Sequence, residues 1–336
     1  MSAPSSIRSV AVLGGGSWGT AFAMLCARHH AAVRLVCHTP LHAERVARDR
    51  VNPAYLPGVR LSDDIAVTSA DDPQALVGVD LLVLAIPSRV VGEMADVVAR
   101  AIVPGTAVLS LTKGLDPASG RRLSELWHQA LGPATPFAVL SGPNHAEEVA
   151  ERQPTAAVVA GDPALGARVQ QLLNGPDFRV YLNDDLVGVE LCAAAKNVIA
   201  IAAGMADGLG FGDNAKASLI TRGLAEMTRL GRAYGAHDAT FRGLAGMGDL
   251  VGTCTSTHSR NRRVGELIAS GLSSEEAETR IGQVAEGLWS VARLLELAER
   301  ADVELPISRE VAAAVAGKPV AECMHDLMAR APATER

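Results

Sequence analysis

The stretch "VAVLGGGSWGTA", Val10 to Ala21, decides how the first half of this chain is read. It sets Gly14, Gly16 and Gly19 in the GxGxxG spacing, directly after a strand-like run and at the start of a helical pattern. Gly14 permits a tight turn, Gly16 lets the backbone approach a pyrophosphate, and Gly19 allows the helix to pack closely. The exposed N–H groups of the following helix then supply an anion site. About 20 residues further on, where an NAD-preferring site carries an acidic residue for the ribose 2′-hydroxyl, the second strand ends "VCHTP". His38 takes the place of the carboxylate and Arg45 follows, so a 2′-phosphate meets no repulsion and NADP is tolerated.

Outward from this motif, short β-rich runs alternate with helical segments: "VRLVCH", "IAVTS", "LLVLAIP", "AVLSLTK", "FAVLSGP", "AAVVAG" and "FRVYLN". Continuous apolar strands separated by helices predict an α/β domain over residues 1–184, with a mainly parallel sheet covered on both faces. "AIPS" (Ala85 to Ser88) and "LTKGL" (Leu111 to Leu115) stand at carboxyl edges of strands, where such sheets bind ligands, and this makes Lys113 a candidate contact. Past Asp185 the β-branched runs stop. A pattern such as Leu288, Val291, Ala292, Leu295 and Ala298, with Glu296, Glu299 and Arg300 outward, predicts an all-α domain over residues 185–336.

Composition narrows the function. The chain has 336 residues, 48% hydrophobic and 20% charged, with a net charge of −6. No basic run exceeds "RNRR" (Arg260 to Arg263), so a nucleic-acid footprint is not expected and the ligand is a small molecule. Five scattered cysteines without a CxxC pair argue against a disulfide frame or a zinc site. The start "MSAPSSIRS" does not have the form of a signal peptide, and no uninterrupted apolar stretch reaches the roughly 20 residues of a membrane span. A reducing, cytoplasmic location is expected. The tail "RAPATER" is expected to fray.

Lys196 stands inside "LCAAAKNVIAIAAGMADG", Leu191 to Gly208, otherwise apolar or small at almost every position. As a helix, Leu191, Ala195, Val198, Ile199 and Ala202 form a wide apolar face. Lys196 and Asn197 lie among alanines that let another group approach. Either the lysine snorkels to water at a domain seam, or burial lowers its pKa toward working pH, as an acid/base catalyst requires. Further on, "GLAGMGDLVGTCTSTHSRNRR" (Gly243 to Arg263) holds Asp249, Arg260 and Asn261. Arginine recognises phosphate in a bidentate manner, although "RNRR" alone reads equally as a solvated helix start. Asp249 either caps a helix or lies beside Lys196, and the sequence leaves both open.

These segments carry a resemblance that runs nearly end to end. "GGGSWGTA", "YLPG", "TKGL", "SGPNHAEEV", "KNVIAIAAGMADGLGFGDNAKASLITRGLAEM", "GMGDLVGTCTSTHSRNRR" and "GQVAEG" together resemble the bacterial NAD(P)-dependent glycerol-3-phosphate dehydrogenases. The resemblance implies a Rossmann-like N-terminal domain and a helical C-terminal domain. It also implies reversible hydride transfer between NAD(P)H and C2 of dihydroxyacetone phosphate, giving sn-glycerol 3-phosphate for phospholipid synthesis without a metal. By similarity Lys196 is the proton donor and acceptor, Lys113 touches both cofactor and substrate, and Asp249 and Asn197 surround the lysine. Ser259, Arg260 and Asn261 take the phosphate end, with Arg260 also reaching the cofactor. Gly142 and Asn144 line the substrate side. Ser17, Trp18, His38, Ala146, Val284 and Glu286 contact the dinucleotide, together with Gly14, Gly16 and Gly19. "NH" after "SGP" departs from the "SF" or "TF" common in the family, which leaves the role of Asn144 open. A homodimer is the expected assembly.

Overall fold

The computed structural model describes residues 6–331, so the first residues of "MSAPSSIRS" and the last of "RAPATER" lie outside it. Two compact units divide the chain. One comprises the residues through Lys113 together with Arg121–Glu190; the other takes Gly114–Gly120 and everything from Leu191 onward.

The N-terminal unit is built on an eight-stranded sheet. Across it the strands run Phe178–Asn183, Thr155–Gly161, Phe137–Ser141, Ala107–Ser110, Leu81–Leu84, Ser9–Leu13, Ala32–Cys37 and Ile65–Ser69. Each of the eight corresponds to one of the predicted β-rich runs. The six from Phe137–Ser141 to Ile65–Ser69 are parallel, with Val10 in register with Val33 on one side and Leu81 on the other. Thr155–Gly161 runs antiparallel to Phe137–Ser141, and Phe178–Asn183 runs parallel to Thr155–Gly161. A direction reversal leaves no trace in the apolar pattern, because strands of either sense are equally apolar when both faces are covered.

Leu81–Leu84, Ala107–Ser110 and Phe137–Ser141 are buried at every position, which explains runs without alternation. Val10, Val12, Phe22, Leu25, Leu35, Val83, Leu109 and Leu140 belong to one continuous core. A small antiparallel pair, Val51–Asn52 with Leu56–Arg60, was not foreseen; two residues and a proline on each side of Tyr55 give no strand signal. The order places Ser9–Leu13 centrally, at the point where successive strands change the side to which they add. In open α/β sheets this switch point, at the carboxyl ends of the strands, is where ligands bind.

Helix Leu186–Gly208 has 23 residues and a mean hydropathy of 1.7 over its most apolar 18-residue window. By length and composition it could cross a membrane, although Glu190 and Lys196 interrupt its apolar run, and 89% of that window is buried inside the molecule. The predicted single apolar face is likewise too narrow: every residue from Val189 to Ala206 is buried, the mark of a core helix. Beyond it the described residues of the C-terminal unit form helices and a π-helical turn, without a strand.

Helix Glu286–Arg300 corrects one detail. Its buried stripe is Gly287, Ser290, Val291, Leu294, Leu297 and Ala298, while Ala292 is exposed and Leu288 and Leu295 are half-covered. Small residues turned inward cause the rotation: a Cβ on Gly287 would lie 2.7 Å from the Asn197 carbonyl oxygen. Hydrophobicity alone does not mark a position that is buried because the backbones approach so closely. Glu296 is half-buried and pairs with Arg293, and Glu299 and Arg300 face outward.

Candidate active site

In the N-terminal unit the glycine turn follows from sterics. Gly14 has φ +117°, and a Cβ there would meet the Ala85 carbonyl oxygen at 2.3 Å, where strand Leu81–Leu84 ends. A Cβ on Gly19 would fall 1.9 Å from the Gly14 oxygen, so the helix Ser17–Arg28 packs onto the turn only without a side chain. Gly16 differs. It caps that helix with extended backbone, and open space surrounds the position of its missing Cβ. A phosphate group fits that side of the turn, at the positive end of a 12-residue helix.

Beside it, Ser17 donates its hydroxyl to the Tyr55 carbonyl at 2.5 Å, and Trp18 packs edge-on against Phe22 with a buried indole N–H that has no partner in the protein. An orphaned donor next to an open glycine turn suits a dinucleotide. His38 is exposed immediately after strand Ala32–Cys37, and Arg45 is exposed on helix Pro40–Asp49, which Thr39 caps. The chain offers no carboxylate at the strand end itself.

The next two strand ends converge on a second feature. Lys113 donates from Nζ to the Gly142 carbonyl at 2.9 Å and to Asn144 Oδ1 at 3.0 Å. Gly142 has φ +129°, and a Cβ there would press on the backbone of Ala156 and Ala157 at 3.1 Å. Asn144 is 8% exposed and its Nδ2 has no partner, so this amide presents an unspent donor beside a lysine. Ala146 is buried and begins the short helix Ala146–Ala150, whose last carbonyls accept from Arg28 of helix Ser17–Arg28.

In the C-terminal unit Lys196 does not snorkel. It is 5% exposed, and Nζ lies 2.9 Å from Asp249 Oδ1 and 2.8 Å from Thr253 Oγ1. Asp249 opens helix Asp249–Thr255 directly after the π-helical turn Leu244–Gly248, and it spends its carboxylate on the lysine rather than on capping. Thr253, one helical turn on, was missed. The i,i+4 spacing from Asp249 puts both side chains on one face and would have flagged it. A buried ammonium persists because the carboxylate compensates its charge and the hydroxyl accepts a further hydrogen bond from it.

Two asparagines extend the constellation. Asn261 donates from Nδ2 to Asn197 Oδ1 at 2.9 Å and accepts from the Gly287 N–H at 2.9 Å. Asn197 donates to the Ala193 carbonyl one turn back. The helices approach so closely because of glycine: a Cβ on Gly204 would sit 1.8 Å from the Arg262 oxygen, and one on Gly265 2.1 Å from the Ile201 oxygen. Ser259, 3% exposed, caps helix Arg260–Ala269, and Arg260 is exposed as its first residue. Arg262 is anchored on Asp207 and Glu266, so "RNRR" is divided between one anchor and two exposed arginines, Arg260 and Arg263. Val284, half-buried, precedes helix Glu286–Arg300, and Glu286 begins it.

Comparison with known proteins assigns both parts of the chain to one family. Residues 9–164 match the model of the NAD-dependent glycerol-3-phosphate dehydrogenase N-terminus, and residues 185–325 match that of the C-terminus. The chain belongs to the NAD-dependent glycerol-3-phosphate dehydrogenase family. The "Glycerol-3-phosphate dehydrogenase [NAD(P)+]" of Prosthecochloris aestuarii is 46% identical over 330 residues, covering 97% of this chain and 99% of the relative. That of Legionella pneumophila is 44% identical, covering 98% and 99%. The crystal structure of glycerol-3-phosphate dehydrogenase from Coxiella burnetii superposes with a TM-score of 0.92 at 38% identity, covering 96% of this chain and 99% of that one. The family is one of NAD(P)-dependent oxidoreductases, in keeping with the Rossmann-like order of the sheet.

Among the described residues no cluster of three or more His, Cys, Asp or Glu could hold a metal ion. The cysteines are buried and form no disulfide among the described residues, and burial pushes the Cys254 thiol up to about 12 despite the nearby Lys196 charge.

Proposed function

We propose that this chain catalyses the reversible NAD(P)H-dependent reduction of dihydroxyacetone phosphate to sn-glycerol 3-phosphate, with Lys196 exchanging the proton at the C2 oxygen. The observation that carries the reading is the Lys196 ammonium, buried between Asp249 and Thr253 and one residue from the Asn197–Asn261 bond. When bound, the nicotinamide supplies the hydride for C2.

The protein's own share is orientation and proton transfer. Lys196 donates toward the C2 oxygen, stabilises the negative charge that develops there and then gives up a proton; in the reverse direction the neutral amine takes it back. Asp249 compensates the ammonium while it waits and keeps Nζ aimed. Arg260, beside the capping Ser259, grips the phosphate, which fixes the distant carbon through the rest of the substrate. Asn261 joins the start of the Arg260 helix to Asn197, so grip and proton donor share one frame. Lys113 and Asn144 serve the substrate through the ammonium and the unspent amide N–H.

His38 leaves room for NADPH as well as NADH. A cytoplasmic homodimer that supplies glycerol phosphate for phospholipids belongs to the same reading, and light scattering tests the assembly. The decisive assay is spectrophotometric: NADPH absorbance should fall when dihydroxyacetone phosphate is added, and the assay is repeated with NADH. An enzyme of the same architecture acting on β-hydroxy acids would ignore this substrate, and a non-catalytic NADPH sensor would leave the absorbance constant. Either result would end the proposal.

A further inference from the structure

The glycine turn is braced from beneath by a side chain outside the GxGxxG motif. Asn52, fully buried on the short strand Val51–Asn52, donates from Nδ2 to the Gly15 carbonyl at 2.8 Å and to Thr20 Oγ1 at 2.9 Å. With both amide hydrogens used, Oδ1 is the acceptor, and the group facing it at 3.0 Å is His42 Nε2, which therefore carries the ring proton. His42 also closes the turn sterically: a Cβ on Gly15 would come within 3.3 Å of its ring and 2.7 Å of Cys37 Sγ. Tyr55 finishes the brace. Its N–H donates to the Asn52 carbonyl at 3.2 Å, its own carbonyl accepts from Ser17, and its ring leans on His42 at 5.4 Å.

Fixing the Gly15 carbonyl fixes more than one atom. In a planar trans peptide the C=O and the following N–H point in opposite directions, and the described residues contain no cis peptide bond. A carbonyl pulled down onto Asn52 therefore turns the Gly16 N–H the other way, away from Asn52. A glycine-rich loop has little else to hold one peptide orientation, because glycine accepts many backbone conformations.

We infer that Asn52 is a positioning residue for the cofactor's pyrophosphate, holding the Gly15–Gly16 peptide so that its N–H faces the anion, with His42 fixing the amide of Asn52. The inference rests on dinucleotide binding at this turn. It concerns binding rather than hydride transfer, so ADP-ribose, which has the pyrophosphate but no nicotinamide, is the probe.

Titrating ADP-ribose into the full chain by calorimetry, Asn52→Leu should weaken binding about tenfold to a hundredfold, the worth of one aimed hydrogen bond to a charged group. His42→Ala should weaken it about threefold or more, and His42→Gln, which restores a donor, should recover most of the loss. In amide NMR spectra, ADP-ribose should shift the Gly16 N–H resonance of the wild type and shift it less in Asn52→Leu. Should Asn52→Leu fail to fold, the His42 pair decides. Unchanged ADP-ribose affinity in the folded variants would overturn the role of Asn52 while leaving the dinucleotide reading intact. A wild type that does not bind ADP-ribose would overturn both.

Discussion

The Lys196 ammonium and the Asp249 carboxylate lie 2.9 Å apart, with side chains only 6% and 4% exposed. Each has a different duty in the proposed reaction, so their variants should fail differently. Lys196→Ala should lower kcat by about 10²–10⁴, the usual worth of a general acid, and leave NADPH affinity within about twofold. Steady-state kinetics with a fluorescence titration of NADPH check it; normal turnover with weak cofactor binding would remove Lys196 from the chemistry. Asp249→Asn, by contrast, strands a buried positive charge. It should cost about 3–5 kcal/mol of stability, read as a lower melting temperature.

Arg260 should act on the substrate rather than on the fold. It is exposed at the start of its helix, so Arg260→Ala should change the melting temperature by less than about 2 °C. Its loss should raise KM for dihydroxyacetone phosphate and lower kcat/KM by at least about a hundredfold, since a misplaced carbon also reacts slowly. The informative comparison is with dihydroxyacetone itself. A preference for the phosphorylated ketone as strong as in the wild type would take the phosphate grip away from Arg260.

The three motif glycines should separate by the space around them. A Cβ on Gly19 collides with the Gly14 oxygen at 1.9 Å, and that backbone oxygen cannot move aside as a flexible side chain would, so Gly19→Ala should lower the melting temperature by roughly 4–10 °C. Gly16 has open space, so Gly16→Ala should fold with a nearly unchanged melting temperature yet bind NADPH at least about tenfold more weakly. Equal effects of the two on melting would contradict this division.

What could be read in the sequence follows the same physics. The strands announced themselves because burial on both faces demands uninterrupted apolar runs such as "LLVL" and "FAVLS", and Gly14 and Gly19 because no other residue fits a backbone collision. Lys196 was conspicuous since burying an ammonium is costly. Its partner stayed ambiguous: a Gly-Asp before an apolar segment describes a helix cap as well as a counter-ion, and only tertiary packing chooses. Asn52 and His42 were invisible for a related reason. Their parts depend on hydrogen bonds between segments far apart in sequence, or on a two-residue strand without periodicity. The i,i+4 spacing of Thr253 gains meaning only once Asp249 is known to face Lys196. The inward stripe of helix Glu286–Arg300 was misplaced because Gly287 and Ser290 are buried for their smallness.

Glu226 provides a stability prediction with a definite sign in pH. Its carboxylate is buried and accepts from the N–H groups of Ile307 and Ser308 and from the Ser308 hydroxyl, at the N-terminus of helix Pro306–Val315. Burial raises its pKa, opposed by these hydrogen bonds, so the folded state holds the proton more tightly than the unfolded chain, where the group titrates near about 4.3. Between the two values the native protein binds more protons, and stability falls as pH rises. The contribution is therefore fully present below about pH 4.3 and is lost as pH climbs through the raised native value. Glu226→Gln cannot titrate, and its NH₂ group faces donors, which costs about 1–3 kcal/mol. The melting-temperature difference between wild type and Glu226→Gln should thus be largest in mild acid and shrink toward neutral pH. Calorimetry of both proteins across that range checks it, and a difference that widens with rising pH would mean that hydrogen bonding outweighs burial at this carboxyl.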